Sequence, residues 1–138
     1  MLIAAVLGSA VGWASAGTAV EVFKSAYCGC CGGWIASMEE NGFDVTAHNV
    51  ADVPAERKQL GMPDQFASCH TAHIGNYVIE GHVPAADIKR LLKETPKALG
   101  LSVPGMVPGS PGMESDHPLH FDTLLVQSDG STRVFARH

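Results

Sequence analysis

Three of the chain's four cysteines lie within four positions, in Tyr27-Cys28-Gly29-Cys30-Cys31-Gly32-Gly33-Trp34, and the fourth is in Ser68-Cys69-His70-Thr71-Ala72. Thiols at this spacing have three uses. As structural staples they are poor, because a bridge among Cys28, Cys30 and Cys31 closes a loop too short to restrain the unfolded chain; only a bridge from Cys69 to the cluster would restrain much. As a dithiol couple, Cys28 and Cys31 keep the C-x-x-C spacing of thiol-disulfide oxidoreductases, with one thiolate attacking and the other resolving the mixed disulfide. Cys30 inside that motif, and Cys69, then offer competing resolving partners. As a soft-metal site, thiolates, imidazoles and thioethers favour Cu(I) over harder ions. Thiolates also bridge, so four packed together suit several Cu(I) ions better than one tetrahedral zinc. Gly29, Gly32 and Gly33 allow close backbone approach around such a site.

Elements that position these residues follow from the pattern on either side. Thr18 to Ser25 is rich in β-branched residues and partly alternating, which predicts a strand leading into the cysteines. Trp34, Ile35 and Met38 recur at helical spacing up to a stop at Asn41-Gly42, and Phe43 to Val50 alternates as a second strand. The cysteines thus fall at the N-terminus of the first helix of a β-α-β unit, where free N–H groups and the helix dipole favour thiolate. Asp52 caps a short helix ending at Gly61-Met62-Pro63. Residues 70–74 and 77–82 flank Gly75-Asn76, a two-residue hairpin turn with glycine first. Counting outward from that turn sets Ile74 opposite Tyr77, His73 opposite Val78, His70 opposite Gly81 and Cys69 opposite His82, on one side of the sheet. Alternation sends His70 to the other face from Cys69.

Pro84 starts a third helix from Ala85 to Lys93, with Ile88, Leu91 and Leu92 as its buried stripe. Residues 95–118 are so rich in Pro and Gly that the expectation there is a long loop without regular structure. A second hairpin around Asp129-Gly130 closes the chain. The fold class expected is α/β and thioredoxin-like: β-α-β, short helix, β-hairpin and helix, with the long loop and a C-terminal hairpin. In that fold the strand entering the hairpin begins beside the first helix, bringing Cys69 to Cys28, Cys30 and Cys31.

The cysteine motif, Ser68 to Ala72, Tyr77 to Ile88, Val103-Pro104-Gly105-Met106, and Gly109-Ser110-Pro111-Gly112-Met113-Glu114 together resemble the CopG-type copper-resistance proteins, a small metal-binding family with a C-x-C-C motif. The resemblance covers nearly everything after Thr18. It implies a periplasmic protein that holds Cu(I) or Cu(II) in a cysteine-bridged site with more than one ion per chain. It also implies a part in copper tolerance, redox cycling of the metal, and other periplasmic copper-handling proteins as partners. Cys28, Cys30, Cys31 and Cys69 match the family's cysteines and form the expected ligand set. His82 follows on the hairpin count, then His70, Met106 and Met113. The chain departs from the family at Met106-Val107-Pro108-Gly109, where Met-Pro-Val-Gly is expected.

Composition bounds the rest. At 138 residues the chain is a single domain's length, and 9 Lys+Arg against 14 Asp+Glu leave a net charge of -5. Nucleic acid is thereby excluded as a partner class, since phosphate binding needs concentrated Lys and Arg. Residues 1–16 have the apolar core and small-x-small ending of a secretory signal without its basic n-region, leaving residues 17–138 as the metal-binding domain, with no stable membrane span in the mature protein. Met38 and Met62 are read as core, Trp34 as packing under the cysteine turn, and Tyr27 as reaching the cluster edge at most. His48 and His73 are read as exposed or hydrogen-bonded, and His117, His120 and His138 as loop and tail polarity.

Overall fold

The computed structural model describes residues 17–138. The signal expected in residues 1–16 lies outside them. Among the described residues seven strands form a single sheet, in spatial order β2 (Asp44–Asn49), β1 (Ala19–Lys24), β3 (His70–Ile74), β4 (Tyr77–Gly81), β5 (Gly100–Val103), β6 (Asp122–Val126) and β7 (Thr132–Arg137). The first half follows the expected sequence of elements: β1 (Ala19–Lys24), α1 (Gly29–Glu40), β2 (Asp44–Asn49), α2 (Val53–Leu60), β3 (His70–Ile74), β4 (Tyr77–Gly81) and α3 (Ala85–Glu94). β1 runs parallel to β2 and antiparallel to β3, and Lys24 is the register partner of His70. The start of β3 therefore lies beside the turn where β1 gives way to α1.

The local signals act as their chemistry requires. Asp52 accepts a hydrogen bond from the Ala55 N–H at 3.0 Å, capping α2, and Gly61 ends that helix at φ +88°. Gly75 takes φ +57° in the hairpin turn, and the ladder pairs Ile74 with Tyr77 and His73 with Val78, as counted.

One expectation fails. Within 95–118, Gly100–Val103 forms β5, parallel to β4 and antiparallel to β6 (Asp122–Val126), which pairs in turn with β7 (Thr132–Arg137). Composition averaged over the whole segment hid Leu101-Ser102-Val103, a short apolar run that is entirely buried. Gly100 fits there because its backbone lies against Val78, where a Cβ would collide with the Val78 carbonyl. β5 joins the C-terminal hairpin to the first half as one continuous sheet.

Strand residues alternate between two clusters. Val20, Val22, Ala72, Ile74, Ile79, Leu101 and Leu125 pack against Trp34 and Met38 of α1 and Ile88 and Leu91 of α3. Val78 and Val126, one position out of phase, pack against Met62 and Phe66, just after α2. At ~1.5–3 kcal/mol for each large apolar side chain fully buried, the first cluster supplies the main driving force for the fold. Among the described residues no helix is long and apolar enough to cross a membrane.

Candidate metal and thiol centre

Cys28 is the N-cap residue of α1, and Cys30 and Cys31 occupy its first turn. The helix cannot tilt away from the sheet at this end, because Trp34 is buried and its Nε1 donates to the Val83 carbonyl at 2.9 Å. Cys28 and Cys31 are joined by a disulfide, while Cys30 and Cys69 are free and half-buried. Cys69 Sγ lies 3.8 Å from Cys30 Sγ and 3.6 Å from Cys31 Sγ, and Cys28 Sγ is 3.6 Å from Cys30 Sγ. All four sulfurs lie within 4.8 Å of one another, and Cys69 Sγ meets the same limit with nitrogens of His70 and His82. Two donor groups thus share one sulfur.

His82 Nε2 lies 3.0 Å from Cys69 Sγ, the approach that the hairpin count anticipates. Its Nδ1–H donates to the Pro111 carbonyl at 2.7 Å, which assigns the tautomer and leaves the Nε2 lone pair facing the sulfurs. The expectation that His70 faces away is corrected: its Nδ1 is 3.4 Å from Cys69 Sγ, and its ring packs 4.6 Å from Trp34 and 5.0 Å from His82. Alternation does not extend there, because Cys69 precedes the first residue of β3 and His82 follows the last residue of β4, Gly81, which has φ +75°. Burial pushes His70 down to about 3, with the charge of nearby His82 adding to the shift, and burial lowers His82 as well. Both imidazoles are therefore neutral at ordinary pH, the form that donates to a metal. Burial raises the Cys69 thiol to about 11, with Cys30 adding to the shift against an opposing hydrogen bond from Ser68.

Two structures outside the cysteines hold this arrangement, and sequence reading missed both. The first is a buried ion pair. Arg57 Nε donates to Glu80 Oε1 at 2.7 Å, the Ser68 N–H donates to the same oxygen at 2.9 Å, and Arg57 Nη2 donates to the Ser68 carbonyl at 2.8 Å. The backbone immediately before Cys69 is thereby clamped on both its N–H and its C=O. The available signal was Glu80 itself, a lone carboxylate in the apolar run Tyr77-Val78-Ile79-Glu80-Gly81.

The second is the long loop. The Gly105 N–H donates to the Ala67 carbonyl, Ser68 Oγ donates to the Gly105 carbonyl, and Pro111 reaches His82. Gly112, at φ +87°, then lies directly on α1: a Cβ there would come 2.6 Å from Trp34 N and 2.7 Å from the Cys30 carbonyl. Met106 is half exposed and Met113 half-buried on this loop, whereas Tyr27 is 97% exposed. Gly112→Ala is expected to cost ~1–2 kcal/mol for the left-handed backbone alone, before the collision with α1 is counted. A lower urea midpoint and faster amide exchange across Ser110 to Met113 would register it; an unchanged exchange pattern would show that Gly112 does not hold the loop.

The fold and donor set define a small mixed α/β domain whose soft sulfur and imidazole donors converge at a helix N-terminus, with a disulfide among them. The family model described as "Protein of unknown function, DUF411" matches residues 66–113, a span from the segment before Cys69 through His82 to Met113. Two solved structures, named copper resistance protein CopG in form 1 and form 2, are each 43% identical to the chain. They superimpose with TM-scores of 0.83 and 0.84, each match covering 88% of this chain and 98% of the solved one. No curated protein sequence matches. The chain belongs to the CopG family of copper resistance proteins.

Proposed function

We propose that this protein is a periplasmic copper-binding protein contributing to copper tolerance, with Cys28, Cys30, Cys31 and Cys69 bridging more than one copper ion and His82 completing the site. The observation that carries this reading is the sharing of Cys69 between the four-sulfur group and the two neutral imidazoles. Thiolates of this density suit Cu(I). His70 is the next donor, and Met106 and Met113 would add thioethers from the loop.

Copper is the cargo here, and the disulfide bears on its loading. Two thiolates are unavailable as bridges while Cys28 and Cys31 are bonded to each other. Formation of that bond from two thiolates releases two electrons, enough to reduce two Cu(II) to two Cu(I), so oxidation of the pair and reduction of copper balance. The same disulfide favours a second reading, a thiol-disulfide oxidoreductase using Cys28 and Cys31 as its couple.

Anaerobic titration with Cu(I), followed by desalting and metal analysis, tests the first reading. Fully reduced protein is expected to retain more than one copper per chain, and protein carrying the Cys28–Cys31 bond to retain less. Uptake should also increase with pH, because the metal displaces a proton from Cys69, whose thiol is held up to about 11. Retention of no copper by the reduced protein would eliminate the cluster.

A further inference from the structure

On the face of the sheet that also carries α2, three partly exposed side chains from three adjacent strands meet at Glu21. Glu21 is on β1, His73 is its register partner on β3, and His48 on β2 is the partner of Phe23, two residues further along β1. Glu21 Oε1 lies 3.6 Å from His48 Nε2, and Glu21 Oε2 lies 3.6 Å from His73 Nδ1. One carboxylate therefore offers a separate oxygen to each of two imidazoles. At that distance neither contact is a hydrogen bond, so the lone pairs remain available.

Support and freedom are both present. The His48 ring stacks on Phe23 with centroids 5.1 Å apart, which sets its plane. Among the described residues β2 is an edge strand, and no further strand flanks His48 on its outer side. The three donor atoms are not as close to one another as those of the cysteine centre, but side-chain exposures of 41% for His48, 44% for His73 and 49% for Glu21 leave torsions free to close on an ion at about 2.0–2.2 Å. An exposed ion pair of this kind contributes only ~0–1 kcal/mol to stability, so stability alone gives little reason for two imidazoles to flank one carboxylate.

We propose that His48, Glu21 and His73 form a second metal site, selective for a borderline divalent ion and above all for Cu(II). Two imidazole nitrogens and a carboxylate suit Cu(II), Ni(II) and Zn(II), and the general order of affinities places Cu(II) first. Cu(I) gains little from these donors beside the thiolates of the other centre. The two sites are separate: His73 is four residues along the strand direction from Cys69, roughly 13 Å at the rise of a strand. The site extends the proposed function without depending on it.

The test is titration of the full chain with Cu(II), its free thiols first blocked with iodoacetamide so that they neither reduce nor bind the ion. After desalting, electron paramagnetic resonance is read on the retained copper. Unaltered protein should hold a single tightly bound equivalent with the splitting of two imidazole nitrogens. His48→Gln and His73→Gln should each lose that equivalent and its two-nitrogen splitting, and Glu21→Gln should weaken retention. The combined His117→Gln, His120→Gln and His138→Gln variant should leave the signal unchanged. No retained Cu(II) in the unaltered protein, a two-nitrogen signal that survives His48→Gln or His73→Gln, or its loss in the tail variant would each overturn the site.

Discussion

Arg57→Met is expected to lower the free energy of unfolding by about 3–5 kcal/mol, the cost of leaving a buried charge without its partner. That is a large share of the ~5–15 kcal/mol that holds a domain folded. Glu80 is wholly buried, and Arg57 is the guanidinium that meets it. Burial holds the Glu80 carboxyl above its ordinary range, opposed by the Ser68 N–H and by Arg57. Without Arg57 that opposition weakens. A carboxyl raised in the folded state binds more protons folded than unfolded, so stability falls as pH rises between its two pKa values. The deficit of Arg57→Met should therefore be greatest at neutral pH and shrink as pH falls toward the ordinary glutamate value of about 4.3. Urea midpoints across that range measure it, and the double variant Arg57→Met, Glu80→Leu should recover most of the loss because neither charge is then stranded. A deficit that did not depend on pH would mean that Glu80 finds another partner. Because Arg57 also holds the Ser68 carbonyl, the single variant should retain less copper even where it remains folded.

Cys69→Ser is expected to have the largest effect on copper. Its sulfur belongs to both donor groups and lies within 4 Å of two other cysteine sulfurs and of His82. A serine hydroxyl is a hard donor that stays protonated at neutral pH, so it cannot bridge Cu(I). The loss should exceed the ~10–100-fold that removal of an outer-shell partner costs a metal site. Anaerobic competition against a Cu(I) chelator measures it. The opposite pattern is just as informative. If Cys69→Ser keeps full copper stoichiometry while Cys28→Ser abolishes insulin disulfide reduction, the oxidoreductase reading replaces the metal one.

The strong local signals in the chain were legible without coordinates. Gly75-Asn76 specified the hairpin, and the hairpin count set Cys69 against His82 because register propagates residue by residue from a tight turn. What failed were arguments carried past the end of an element or averaged across one. His70 was set on the opposite side from Cys69 by alternation carried back past the start of β3, where Cys69 is no longer part of the strand. β5 vanished into the average composition of residues 95–118, although four buried residues suffice for a strand when neighbours wait on both sides. The Arg57–Glu80 clamp and the Pro111–His82 contact join residues 23 and 29 positions apart, and no periodicity within either segment encodes such a meeting. Carboxylates and loop carbonyls become legible only when folding shows which buried groups would otherwise lack a partner.

The loop over the cysteines also determines where chain length can change. Between Gly105 and Gly112 the backbone is tied to Ala67, Ser68 and His82 and lies on α1, so an added residue there must break a contact at the cluster. Beyond it, the Leu119 N–H returns to the Pro108 carbonyl at 2.9 Å, closing a neck around the exposed stretch from Glu114 to His117. Loop-closure entropy grows slowly with length, each doubling costing only about 0.6 kcal/mol. Relatives can therefore extend or shorten the outer stretch while the inner one stays fixed in register, and an affinity tag or reporter peptide spliced beside Asp116 would leave the sulfur centre undisturbed.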